Sequence, residues 1–135
     1  MVDYDLDSIR LFLHVMGAAV WVGGQIVLAA LVPIARGIGP EAPKAMANGF
    51  NRVAWPFFGL AVITGVWNIF AVDLADVDTA YNAALGIKLL LVTVSGLAAA
   101  VHTGTTSPAI RGITGGGSLI SGLAAVYIGI VLVAG

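Results

Sequence analysis

Four side chains in this sequence could do chemistry from places where polar chemistry is costly. His14 lies inside an apolar run from Leu11 to Ile34, Lys88 and His102 lie in a later apolar run, and Trp21 follows His14 by seven residues. An ionisable group in hydrocarbon is destabilising unless something partners it, so His14, Lys88 and His102 are candidates for function. Gly17 and Gly24 are one heptad apart and share a helix face, a bare strip where a second helix or a flat ligand can approach closely. His14 and Trp21 form a parallel pair ~40° away, flanking that strip.

His14 admits three readings. A hydrogen bond across to Thr64, Asn68 or Ser95 would make it structural. A neutral imidazole in an apolar, glycine-relieved slot with an indole nearby also suits a ligand to haem iron. The third reading is a copper or other transition-metal ligand, against which stand the absence of cysteine, only three methionines and the lack of a second histidine at the same depth. Lys88 can snorkel to the membrane interface, pair with a haem propionate, or approach the iron if burial neutralises it. His102, beside Thr103 and Thr105, is either an interfacial histidine or a metal ligand. The cofactor-binding candidates are therefore His14, Lys88, Trp21, Gly17 and Gly24, and the metal candidates His14 and His102.

Composition narrows the class further. Of 135 residues, 59% are hydrophobic and 10% charged, whereas soluble domains average about 25% charge. The chain therefore reads as a membrane protein. Without cysteine there are no disulfides, thiolate metal sites or cysteine nucleophiles. A net charge of -1 with scattered Lys and Arg gives no footprint for nucleic acid. No nucleophile and base pair, phosphate loop or HExxH motif is visible, and the carboxylates avoid the apolar runs, which argues against an ion-coupled transporter. The N-terminal Asp3-Tyr4-Asp5-Leu6-Asp7 is acidic where a cleaved signal would be basic, so the first span is expected to be retained.

The elements that must position these residues are four apolar helices, expected at about 8–35, 53–72, 82–104 and 118–133. Ser8 begins the first; Pro56 falls in the first turn of the second, where its missing N–H matters little. The charged stretch from Arg36 to Lys44, the aspartate-rich stretch from Asp73 to Asn82, and the segment from Thr103 to Gly117 read as connections. At ~16 residues the fourth helix would cover only ~24 Å, short for a span. The expected fold is an all-α, four-helix transmembrane bundle forming one domain over 1–135. No internal repeat shows in residue identity, since His14 and Lys88 are chemically unlike.

Arg36, Lys44, Arg52 and Arg111 lie in two connections, while the N-terminus and the Asp73 loop carry aspartates. The positive-inside rule then puts both termini outside an inner (plasma) membrane. Threaded so, His14 and Lys88 each lie ~9 Å below the outer surface and His102 ~21 Å deeper than Lys88, which makes a single haem between His14 and His102 awkward. Glycine spacing at Gly17, Gly24, Gly122 and Gly129 could also close a homodimer.

The segment from Leu13-His14 to Trp21-Val22-Gly23-Gly24, together with Leu85-Gly86-Ile87-Lys88-Leu89-Leu90-Leu91-Val92, resembles the CopD-like membrane domain and its relative, the HemJ-type protoporphyrinogen oxidase. The resemblance covers helices 1 and 3, and elsewhere only helix count and hydropathy. It implies a small helical bundle. In the oxidase branch it implies haem b, with His14 matching the histidine ligand and Lys88 the essential lysine. In the CopD branch it implies copper handling. The function expected is thus a haem b-binding oxidoreductase or electron-transfer protein with a redox partner, the alternative being a copper-handling or non-catalytic membrane subunit.

Overall fold

The computed structural model describes residues 4–135; Asp3, counted with the acidic N-terminus, lies outside them. The described chain is all α: α1 (Leu6–Ile38), α2 (Ala42–Ala71), α3 (Thr79–Gly104) and α4 (Pro108–Ala134). At 26 to 33 residues each, the helices run ~39 to 50 Å, longer than the ~30 Å hydrocarbon core. All four are apolar enough to cross a membrane. Lipid supplies no hydrogen bonds to backbone, and helices satisfy theirs internally. Large apolar side chains such as Phe12, Ile63, Leu90 and Tyr127 are accordingly exposed on the outside of the protein.

Local chemistry sets the helix ends. Asp5 caps α1 by accepting the Ser8 amide at 2.9 Å, and Asp78 caps α3 by accepting the Tyr81 amide at 2.7 Å. Ser107 caps α4, with Pro108 in the first turn. Two boundaries differ from expectation. α2 starts at Ala42, so Pro56 and Arg52 stand inside it, not in a first turn and a connection. α4 starts at Pro108 and absorbs Arg111 and the glycines at 112, 115, 116 and 117, which removes its apparent shortness. In water those glycines would favour a break. In hydrocarbon an unpaired backbone group is so unfavourable that the helix continues through them.

The chain forms two compact units, Met1–Val72 and Asp73–Gly135, each built on one antiparallel helical hairpin. In the first, α1 and α2 meet at Gly17, where an added Cβ would lie 2.8 Å from the Phe57 carbonyl oxygen and 2.8 Å from the Ala61 amide nitrogen. The bare strip at Gly17 is thus filled by the second helix. One turn on, Trp21 is buried against Trp55 and Phe58, with ring centroids 5.1 and 4.4 Å away. The second hairpin is locked differently. The Ser95 hydroxyl donates to the Ser118 carbonyl at 2.8 Å, and the Ser118 hydroxyl donates back to the Ser95 carbonyl at 2.9 Å, both buried.

The hairpins nevertheless share a register. His14 lies against Gly65 and Lys88 against Gly129. Seven residues beyond each polar side chain come the buried Trp21 and Ser95; eleven before each glycine come the buried Ala54 and Ser118. The repeat that residue identity hides is present in packing position.

Gly17→Ala should therefore destabilise the first hairpin by about 1–3 kcal/mol through backbone overpacking. Gly23→Ala, which meets nothing within 4 Å, should be neutral or stabilise by up to about 1 kcal/mol through helix propensity. Reversible unfolding in micelles checks both, and equal effects would contradict the packing.

The Ser8 amide holds the Asp5 carboxyl below its ordinary 3.8. A depressed carboxylate contributes stability that is complete above the unfolded value and lost as pH falls through the folded one. Amide exchange in the first turn of α1 should differ between wild type and Asp5→Ala above pH 3.8. The difference should vanish on further acidification.

Candidate functional site

His14 is the ninth residue of α1 and half-buried against α2. Its Nδ1 lies 2.9 Å from the Ala61 carbonyl oxygen and 3.1 Å from Thr64 Oγ1. A carbonyl can only accept, so Nδ1 carries the proton. The Thr64 hydroxyl proton goes to the Leu60 carbonyl at 2.7 Å, leaving the Thr64 oxygen to share the same imidazole N–H. Thr64, one of the three structural partners expected, is thus among the groups His14 meets. In the neutral ring the lone pair then belongs to Nε2, the tautomer in which a histidine backed by a carbonyl presents Nε2 to a metal.

Gly65 makes this bond accessible. In a helix the side chain at i+4 leans back over the carbonyl of residue i, and here that residue is a glycine. A Cβ on Gly65 would lie 3.2 Å from His14 Cε1. His102 repeats the device: Nδ1 donates to the Arg111 carbonyl at 2.7 Å, and the ring rests where a Cβ on Gly115, four residues on, would be 3.0 Å away. Each histidine thus pairs with a carbonyl and the glycine one turn later on the neighbouring helix. The glycines that matter for the imidazoles are Gly65 and Gly115. They could have been sought in the sequence as glycines opposite each histidine in an antiparallel pair.

The other candidates are placed as follows. Trp21 stands two turns from His14 in the aromatic cluster. Gly24 faces the Phe50 ring and lines an apolar groove of about 500 Å³ with Val20, Val27, Leu31 and Met46, which His14 does not line. Lys88 runs along Gly129, its Nζ 2.9 Å from the place of a Cβ there. Gly122 is buried, so neither α4 glycine offers a bare outer strip. Among the described residues no three His, Cys, Asp or Glu side chains gather as a metal site.

Two residues of α1 escaped the sequence reading. Arg10 lies one turn before His14 on α1. Its side chain is 12% exposed, donates from Nη1 to Asp7 at 2.7 Å and from Nε to Asn68, and lies over Trp67. Gln25 falls on the His14 and Trp21 face by heptad spacing. Its buried side-chain nitrogen has no hydrogen-bond partner among the described residues.

Compared with protein families, curated proteins and solved structures, the chain matches none. What the fold defines is a class: an all-α membrane protein with four membrane-length helices.

Nitrogen NMR of histidine-labelled protein at about pH 8, where an ordinary imidazole is neutral, should find both His14 and His102 as the Nδ1–H tautomer. Gly65→Leu should displace His14 and change its signal alone. An Nε2–H tautomer at His14 in wild type would refute the assignment.

Proposed function

We propose that this protein is a membrane-embedded haem b protein of the CopD-like and HemJ-like kind, with a redox or electron-transfer role, in which His14 would hold the haem iron through Nε2. The observation that carries this reading is the Nδ1–H bond from His14 to the Ala61 carbonyl. It fixes the ring, selects the metal-binding tautomer and raises the basicity of Nε2. A haem needs only one or two such ligands from the protein, so the absence of a gathered carboxylate and imidazole cluster among the described residues is compatible with it.

The chain's own contribution would be to orient the imidazole through Ala61 and Thr64, to let it lie close to α2 at Gly65, and to keep it in apolar surroundings. Haem, when bound, supplies one-electron chemistry, and the polarity of its surroundings tunes the potential. His14 is preferred to His102 because it stands nine residues into its helix, whereas His102 lies in the last turn of α3 beside polar Thr103 and Arg111. The proposed orientation keeps both termini outside the plasma membrane. Arg36, Lys44 and Arg111 mark the cytoplasmic helix ends, while Arg52 is now an intrahelical residue of α2.

Purified protein reconstituted with haem should show a sharp Soret band, which His14→Ala abolishes or grossly shifts and His102→Ala leaves unchanged. A band that survives His14→Ala and is lost in His102→Ala would move the site to His102, in the last turn of α3.

A further inference from the structure

The geometry points to Arg10 as the receptor for a ligand carboxylate at the His14 site, with Asp7 as the resident carboxylate that the ligand displaces. This rests on the reading of His14 as a haem ligand and adds to it the anionic end of the molecule bound.

Arg10 is in an expensive position. It is 12% exposed, and it is the fifth residue of α1, at the helix end whose dipole repels a cation. A snorkelling role would leave the guanidinium in water. Here it is instead held on two sides: Nε donates to Asn68 Oδ1, and the planar group stands 5.9 Å from the centre of the Trp67 ring. Asn68 and Trp67 are adjacent on α2, and Asn68 is one turn from Thr64, the partner of His14. Arg10 with Asn68 and His14 with Thr64 are therefore successive rungs between the same two helices, ~6 Å apart along the axis.

What remains is the outer edge of the guanidinium. Its two terminal nitrogens form the fork that grips both oxygens of a carboxylate. Asp7 touches this fork through one oxygen on Nη1, at 2.7 Å, and is itself 67% exposed. Nη2 has no hydrogen-bond partner among the described residues. An exposed, single-point contact on a fork that is rigidly held behind is readily exchanged for a two-point one. A ligand whose planar body meets Nε2 of His14 and whose edge bears carboxylates would make that exchange. The chemical class is a dicarboxylate tetrapyrrole, not its ester.

The test is binding in micelles, followed through the Soret band, of protohaem and of its dimethyl ester. Wild type should prefer the free acid by about tenfold or more, the effect of a hydrogen bond to a charged group. Arg10→Gln should abolish the preference by weakening acid binding alone, Arg10→Lys should retain part of it, and Asp7→Asn should strengthen acid binding. Circular dichroism of each variant establishes that the helices are intact; should Arg10→Gln lose them, the ester comparison in wild type and Asp7→Asn decides. Binding that depends on His14 but treats acid and ester alike overturns the role of Arg10 and leaves the haem reading standing. No binding sensitive to His14→Ala overturns both.

Discussion

A hydrogen-bonding group in hydrocarbon has only the protein to turn to, and this constraint governs the molecule from backbone to site. It drives α4 straight through a glycine run. It also gives His14 a main-chain carbonyl of α2 and His102 one of α4. Such a carbonyl already accepts a helical N–H at i+4, and its second lone pair is reachable only where the residue at i+4 has no side chain to cover it. The glycines beside the two histidines are therefore part of the hydrogen bond and not merely of the packing.

Close helix contact comes next in importance. Between apolar helices in lipid, association depends on how near two backbones can come and on bonds across the gap. The first hairpin brings backbones together at Gly17 and fills the wider part with Trp21, Trp55 and Phe58. The second uses two small residues, Ser95 and Ser118, whose hydroxyls each donate to the other's main chain. Both solutions keep the polar residue, His14 or Lys88, near the start of the first helix of the pair and set a glycine against it.

Helix number, type and most ends were legible because the apolar runs and the aspartate-rich loop from Asp73 are local signals. The starts of α2 and α4 were not, since proline and glycine were given the meaning they have in water. At the site, His14 and Thr64 were read together because a histidine inside an apolar run has few polar residues to meet. Arg10 was missed because a charge immediately before an apolar run looks like a loop charge until its burial is known. Gly65 was missed because a glycine's role depends on what lies across from it, and that needs the register of the pair.

The reciprocity of the contacts within each hairpin bears on how the chain enters the bilayer. His14 and Arg10 on α1 find acceptors on α2, and Ser95 and His102 on α3 find them on α4. Each of these groups acquires a partner once the very next helix has been synthesised and laid beside it. Insertion can thus advance two helices at a time, with these polar groups already matched when a hairpin leaves the aqueous channel for lipid.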